Sequence, residues 1–319
     1  MLSPDAAIRP RPMVPDARAA SRGAPAPGDR AAPGDDVELS AGRLIDWCRR
    51  HAPLVVAFSG GVDSSVVAAA AHRADPSGAI AVTADSPAVA RWQLDLAVRI
   101  ARDIGIRHRV ITTGEVARDD YRRNDRRRCY FCKSTLYDAL RAIETAAGGV
   151  PVSGTNADDL GDYRPGLRAA AEASVRAPLA ELGFGKAGVR DMARWFGLAN
   201  AELPASPCLA SRIAYGVEVT PERLARVEAA EGWLRSAGFS DVRVRVHPDE
   251  LARVEVPLAE WGRLWEASLW RPLDEKLRSL GFRFVTVDTG GLRSGSLNPP
   301  LVELSPPSAG QSGGETGPS

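Results

Sequence analysis

The stretch Leu54-Val55-Val56-Ala57-Phe58-Ser59-Gly60-Gly61-Val62-Asp63-Ser64-Ser65 decides the fold of this chain. An apolar run leads straight into two glycines and a group of hydroxyls, the pattern of a buried strand that ends in a tight turn and continues as a helix. Gly60 and Gly61 let the backbone approach an anion closely. The N–H groups that open the next helix, from Asp63 to about residue 73, point toward that anion with the helix dipole behind them. Ser59, Ser64 and Ser65 add hydroxyl donors, and Asp63 stands where a carboxylate can hold Mg²⁺. The Lys-Ser/Thr pair that ends a Walker A loop is missing, so the γ-phosphate grip of kinases and motor ATPases is not implied.

Outward from this loop the strand-helix alternation repeats. Strands are expected over residues 54–58, 79–83, 107–111 and 150–153, separated by helices near 63–73, 87–104 and 132–147. Such alternation implies an α/β fold, a parallel sheet covered by helices on both faces. Ligands of these sheets sit beyond the carboxyl ends of the strands, where the glycine loop lies. Asp85, just after the second strand, is placed there to meet adenine or ribose. Thr155 and Asp159, after the fourth, lie at the mouth of the same crevice.

A second, smaller α+β unit begins after Pro204. Thr220, Pro221 and Glu222 read as an N-cap, a proline at the first helical position and an acidic first turn, opening a helix to about residue 236 that stops at Gly238. Residues 241–247 alternate, with Val242, Val244 and Val246 on one face and Arg243, Arg245 and His247 on the other, so a half-buried strand is expected. Further strands are expected at 251–256 and 282–287. A helix over 261–280 should be kinked or broken by Pro272. The organisation that follows is a disordered tail at 1–38, a first domain at 39–203, a second at 204–302 and a disordered tail at 303–319. Both tails are rich in Pro, Gly, Ala or Ser and poor in large apolar residues, too little to offset their ordering entropy.

Composition sets limits. A chain of 319 residues can bury a full core, and a net charge of +1 gives no overall electrostatic case for nucleic acid or a membrane surface. No apolar run approaches the roughly 20 residues needed to span a bilayer, and the N-terminus lacks the apolar segment of a secretory signal, so a cytoplasmic protein is expected.

The four cysteines suggest metal, cluster or thiol chemistry rather than a disulfide framework. Cys129-Tyr130-Phe131-Cys132 follows the basic run Arg126-Arg127-Arg128 and opens a helix, while Cys208 stands far downstream in Pro207-Cys208-Leu209-Ala210-Ser211-Arg212. Three thiolates can hold three irons of a 4Fe-4S cluster and leave the fourth open, or hold Zn²⁺ together with a histidine. Cys48, in an apolar-periodic segment, reads as a small core residue.

These motifs resemble the LarE family of ATP-dependent sulfur transferases. The resemblance spans residues 44–298. It rests on the SGGxDS loop at 59–64, on Arg128-Cys129-Tyr130-Phe131-Cys132-Lys133, on Gly154-Thr155-Asn156-Ala157-Asp158-Asp159 with Asp162-Tyr163-Arg164-Pro165-Gly166, on Pro207-Cys208-Leu209-Ala210-Ser211-Arg212-Ile213 and on Arg293-Ser294-Gly295-Ser296-Leu297-Asn298. It implies a PP-loop ATP pyrophosphatase domain, adenine nucleotide alpha hydrolase-like, that splits ATP into AMP and pyrophosphate. A carboxylate of pyridinium-3,5-dicarboxylate mononucleotide would be adenylated and AMP then displaced by sulfur, with two rounds giving the dithio precursor of a nickel-pincer nucleotide. Partners so implied are this small nucleotide and the other enzymes of nickel-pincer cofactor biosynthesis, and a homo-oligomer is compatible with the family. The family has two sulfur strategies: a single cysteine, at the position of Cys208, that gives up its own sulfur, or three cysteines that hold a 4Fe-4S cluster carrying an extra sulfide. Cys129, Cys132 and Cys208 fit the second. Ala214 stands where the family pattern leads one to expect proline, which puts the stiffness of that loop in doubt.

Beside the resemblance, roles follow from chemistry. The loop amides and Mg²⁺ on Asp63 would neutralise ATP as pyrophosphate leaves. Ser211, Arg212, Glu231, Arg243 and Arg245 form the substrate-binding set, because guanidinium groups match phosphate and carboxylate in bidentate geometry; a solvated strand face and an exposed helix glutamate are the alternatives. A tRNA thiolation enzyme shares the loop and the cysteine logic, but the net charge argues against it. An amide-forming ligase with this loop would need no three-cysteine set, and an ATP-binding sensor module no second unit with paired arginines.

Overall fold

The structure is a computed structural model and describes residues 33–161, 165–204 and 206–293. Asp162, Tyr163 and Arg164, the motif residues 294–298, and the tails at 1–32 and 303–319 lie outside the described residues. Helix α1 (Pro33–Arg50) starts inside the stretch read as an N-terminal tail. Its reason is a helical stripe, Val37, Ala41, Leu44, Ile45 and Cys48, that packs into the main core.

Strand β1 (Leu54–Ala57) feeds through the glycine loop into α2 (Val62–Ala74), followed by β2 (Ile80–Asp85), α3 (Arg91–Ile104) and β3 (Arg107–Thr112). The short helix α4 (Asp119–Arg122) leads to the long α5 (Arg128–Ala147) and β4 (Val150–Val152). These strands form one parallel sheet in the order β3-β2-β1-β4, with Val56 of β1 opposite Ala81 on one side and Val152 on the other. Although β1 is apolar throughout, its pleat sends side chains to opposite layers. Leu54 and Val56 enter the core formed with α1, α2 and α3, whereas Val55 joins Tyr137 and Leu140 of α5. Three helices then follow to which the sequence reading assigned no elements: α6 (Pro165–Glu172), α7 (Pro178–Glu181) and α8 (Lys186–Trp195).

In the second unit Thr220 caps α9 (Pro221–Ser236), its side chain accepting from the Arg223 N–H at 3.2 Å. A three-stranded sheet follows in the order β5-β6-β7, from β5 (Arg243–His247), β6 (Leu251–Glu255) and β7 (Phe284–Val287); β5 and β6 are antiparallel, β6 and β7 parallel. Two expectations are corrected here. Strand β5 is not half-buried: Arg243 and Arg245, at 8% and 7% exposure, are buried along with Val244 and Val246, because acidic partners and the turn at 209–212 cover their face. The expected helix over 261–280 breaks at Glu266, between a 3-10 segment (Leu258–Trp265) and α10 (Ala267–Ser279), and not at Pro272. Pro272 stands inside α10, which forgoes only the bond its N–H would have given to the carbonyl of Ser268.

One apolar cluster joins the two units. Ala88 and Ala90 after β2, and Val116 and Tyr121 in the short helical turns after β3, pack with Leu209, Ala210, Val227 and Val244. Among the described residues no helix is long and apolar enough to cross a membrane.

Candidate active site

The glycine loop turns at the carboxyl edge of the parallel sheet. Gly60 has φ +72°, and a Cβ there would lie 2.7 Å from the Cα of Ala97, so no side chain fits. A Cβ on Gly154 would meet the Ser64 nitrogen at 2.6 Å, so the segment after β4 lies directly against the start of α2. The hydroxyls brace the turn: Ser64 Oγ donates to the Gly61 carbonyl at 3.0 Å and accepts from the Ser59 N–H at 3.2 Å. Asn200 Nδ2 donates to the Gly60 carbonyl at 2.7 Å and to Ser65 Oγ at 2.9 Å.

Asp63, in the first turn of α2, receives Lys186 Nζ on both carboxylate oxygens, at 2.8 and 2.6 Å, and Asn156 Nδ2 at 3.4 Å. Lys186 opens α8 and is itself fixed by its N–H to Asp158 Oδ2 at 2.7 Å. Thr155 Oγ1 lies 3.1 Å from Ser153 Oγ, and Asp159 Oδ2 accepts from the Asn156 N–H at 3.1 Å. Asp85, at the same sheet edge, pairs with Arg91 at 2.7 Å. Lys186, Asn156 and Asn200 are the residues that sequence reasoning passed over. Asn156 sits inside a quoted motif and was readable there, whereas Lys186 has no local signal and reaches Asp63 only through the packing of α8.

The three candidate cysteines lie on two neighbouring elements. Cys129, exposed, and Cys132, half-buried, occupy the first turn of α5; Cys208, half-buried, precedes a 3-10 turn (Leu209–Arg212). Two buried side chains tie these elements together. Arg128 donates to the Ala210 carbonyl at 2.8 Å and to Asn124 Oδ1 at 2.5 Å. Asn124, in the left-handed conformation that asparagine tolerates, reaches the carbonyls of Ile213, Ala214 and Val217 at 3.2, 2.8 and 2.8 Å. The Leu209 N–H in turn donates to the Ala88 carbonyl at 2.8 Å. The doubt over Ala214 is answered by its N–H, which donates to the Val246 carbonyl at 2.9 Å, a bond proline cannot make. Burial pushes the Cys132 thiol up to about 12, with Cys208 adding to the shift. Cys48 lies inside the core, and burial pushes its thiol to about 12 as well. Among the described residues no three His, Cys, Asp or Glu side chains are gathered closely enough to hold a metal ion.

Around Cys208 the guanidinium groups are buried. Arg212, only 1 % exposed, donates through Nε and Nη2 to the Glu231 carboxylate at 2.9 and 3.3 Å. Its Nη1 reaches the carbonyls of Pro207 and Cys208 at 2.6 and 3.1 Å. Glu231 also accepts from Arg235 at 2.9 Å and from the Val244 N–H at 3.1 Å. Ser211 Oγ donates to the Cys208 carbonyl at 2.7 Å. Arg245 joins Glu255, at 3.1 and 2.9 Å, to the Ser211 carbonyl at 3.0 Å. Arg243 pairs with Asp241, yet burial first and the neighbouring Arg212 second hold its pKa below the usual arginine value. An arginine stays charged regardless, and each guanidinium of the set has a carboxylate partner, Glu231 for Arg212, Asp241 for Arg243 and Glu255 for Arg245.

A parallel sheet with a serine-glycine loop after its first strand, and a carboxylate of that loop's helix paired with a lysine of α8, defines a nucleotide-binding PP-loop domain. A family model described as asparagine synthase matches residues 46–160, the greater part of this domain. The pyridinium-3,5-bisthiocarboxylic acid mononucleotide synthase of Lactiplantibacillus plantarum is 38% identical over 252 residues, covering 78% of this chain and 90% of that protein. An uncharacterized protein of Synechocystis sp. is 42% identical over 250 residues, covering 78% of this chain and 93% of its own length. A third relative, an uncharacterized protein of Methanocaldococcus jannaschii, is 28% identical over 208 residues. The chain belongs to the LarE family of ATP-dependent sulfur transferases.

Proposed function

We propose that this chain uses ATP to adenylate the carboxylates of pyridinium-3,5-dicarboxylate mononucleotide and replaces the bound AMP by sulfur, forming thiocarboxylates. What supports the reading most is the guanidinium set that holds the Cys208 turn, Arg212 on the Pro207 and Cys208 carbonyls and Arg245 on the Ser211 carbonyl, each fixed by a buried carboxylate beside the thiol segment. In the first step a carboxylate oxygen attacks the α-phosphorus of ATP and pyrophosphate leaves. In the second, hydrosulfide adds to the acyl carbon, AMP departs and the proton goes to solvent. The glycine loop and Lys186 stabilise the departing pyrophosphate. Asp63, whose carboxylate lies at the loop, is the residue that would hold Mg²⁺, with Ser59, Gly60, Gly61, Ser64 and Ser65 around the phosphates and Asp85, Thr155 and Asp159 toward the nucleoside. Residues 39–203 thus bind ATP and residues 204–302 bind the acceptor through Ser211, Arg212, Arg243 and Arg245, with Glu231 orienting Arg212.

Cys129, Cys132 and Cys208 fit a thiolate-held group in kind: three thiols on two elements tied by Arg128 and Asn124, with a buried hydroxyl, Tyr121, that has no partner among the described residues. A 4Fe-4S cluster held by them would supply an open iron to carry an external sulfide. In a second reading Cys208, half-buried at the head of its turn, surrenders its own sulfur. A cytoplasmic setting and hand-over to other enzymes of nickel-pincer cofactor biosynthesis belong to the same proposal.

Anaerobic purification with iron, sulfide and zinc analysis, followed by incubation with ATP, Mg²⁺, sulfide and the dicarboxylate nucleotide, tests it. Expected are AMP, pyrophosphate and a product carrying sulfur in place of oxygen, over more than one turnover. Serine at Cys129, Cys132 or Cys208 should each lower iron content. A stoichiometric mass loss at Cys208, with full activity in the other two variants, would leave the second reading. No sulfur in the product would refute both.

A further inference from the structure

A buried phenol hydroxyl normally finds a hydrogen-bond partner. Tyr121, on α4, is 1 % exposed, and its hydroxyl meets no partner among the described residues. The ring is locked in the apolar cluster that contains Leu209, Ala210 and Ile213 of the Cys208 segment, and against this cluster Phe131, Cys132 and Cys208 pack. Burial raises the Tyr121 pKa first of all, and Cys208, Cys132 and Glu115 add to it. The hydroxyl is therefore an unused donor in an apolar wall against which two thiols, Cys132 and Cys208, also pack. Arg128 is held by Asn124 and the Ala210 carbonyl and is itself a donor, so it offers Tyr121 no acceptor. Glu115, only 3 % exposed, has an unpartnered Oε2 and is the competing acceptor.

We propose that Tyr121 is a positioning residue for sulfur transfer, its hydroxyl donating a hydrogen bond to the Cys208 sulfur when that thiol is loaded. Hydrogen bonds in catalytic sites are often long before the reacting groups arrive and tighten in the complex, and a turn of Cys208 about its Cα–Cβ bond moves Sγ along this wall. The bond fixes the direction of the sulfur lone pairs and draws negative charge off the sulfur, as donors around metal-bound thiolates do. The inference rests on the proposed function only in taking Cys208 as the residue that holds or gives the sulfur.

The test is Tyr121→Phe in the full-length chain, which keeps the ring in the cluster and removes one oxygen. Two readouts are taken on parent and variant: the ratio of thiocarboxylate to pyrophosphate formed, and the sulfur-to-metal charge-transfer band of the anaerobic protein titrated with Co²⁺ alone. Expected are pyrophosphate release within about twofold of the parent, a thiocarboxylate-to-pyrophosphate ratio lower by about tenfold, as for loss of one hydrogen bond, and a band moved to lower energy. Equal ratio and equal band position in the two proteins would overturn the inference and give the hydroxyl to Glu115. A parallel fall in pyrophosphate and thiocarboxylate would also overturn it, by showing a general structural effect. If the parent gives no cobalt-thiolate band, the three-thiolate reading fails and the product ratio decides Tyr121. If the parent makes no thiocarboxylate, the proposed function fails and the band decides; absence of both overturns the two together. Should the phenylalanine variant misfold, Tyr121→Leu repeats the comparison.

Discussion

Glu231→Gln is expected to be among the most damaging single substitutions in the second unit. The side chain is fully buried at 0 % exposure and takes two bonds from Arg212, one from Arg235 and one from the Val244 N–H. Glutamine keeps the shape but removes the charge and turns an N–H₂ group toward guanidinium donors, leaving Arg212 charged, desolvated and badly paired. Breaking a buried ion pair from one side typically costs about 3–5 kcal/mol. For a folded body of this size, at roughly 2–4 °C per kcal/mol, the melting midpoint should fall by about 6–20 °C. Guanidinium titration and calorimetry on parent and variant measure this directly. A companion, Arg212→Met with Glu231→Leu, separates charge from shape: replacing both partners by apolar residues should restore part of the stability. The recovery should stay partial, because the buried Val244 N–H then lacks its acceptor, and sulfur transfer should not return, because Arg212 also grips the carbonyls of Pro207 and Cys208. A loss below about 1 kcal/mol in Glu231→Gln, the level of an exposed pair, would refute the reasoning.

The remaining predictions are local. Asp63→Ala and Lys186→Met should each abolish or strongly reduce pyrophosphate release while far-ultraviolet circular dichroism stays unchanged; normal substrate-dependent release by either would remove that residue from the ATP site. Arg243→Ala with Arg245→Ala should weaken binding of the dicarboxylate nucleotide by about 1.5–3 kcal/mol per charge-assisted contact and spare ATP, as calorimetric titration with each ligand would reveal. Burial holds the pKa of both His108 and His247 below the ordinary histidine value. The unfolded chain then takes up protons first as pH falls below about 6.5, so stability should decline through that window toward the lower folded values. Denaturant midpoints between pH 7.5 and 5.5 measure the slope, and His108→Asn should flatten it.

The loop at 59–65 was legible because strand, turn and helix chemistry agree within a dozen residues, and the parallel sheet followed from strands alternating with helices. Burial of β5 was not legible. The alternation of valine and arginine is identical for a half-exposed strand and for one whose charges are neutralised from elsewhere, and the partner of Arg245 is Glu255 on the antiparallel neighbour. Arg212 hides the same way, its partner Glu231 lying on a separate helix. The three thiols could be named from spacing, but the pins that bring them together, Asn124 and Arg128, look in sequence like any asparagine and arginine in a basic run. Tyr121 gave no signal, since only packing shows that its hydroxyl goes unused.

The apolar cluster that runs from Ala88 and Tyr121 through Leu209 to Val244 also governs how the molecule comes apart. The proposed division of chemical labour between the two halves would not divide their cooperativity: severing the chain near residue 204 would strip a shared interior and expose it on both fragments. The whole should melt as one unit, and a nucleotide that touches only the glycine loop should raise the unfolding temperature of the distant three-stranded sheet by mass action on that common equilibrium. Occupancy by ATP then reaches the thiol turn through stability, without any hinge or lid having to move.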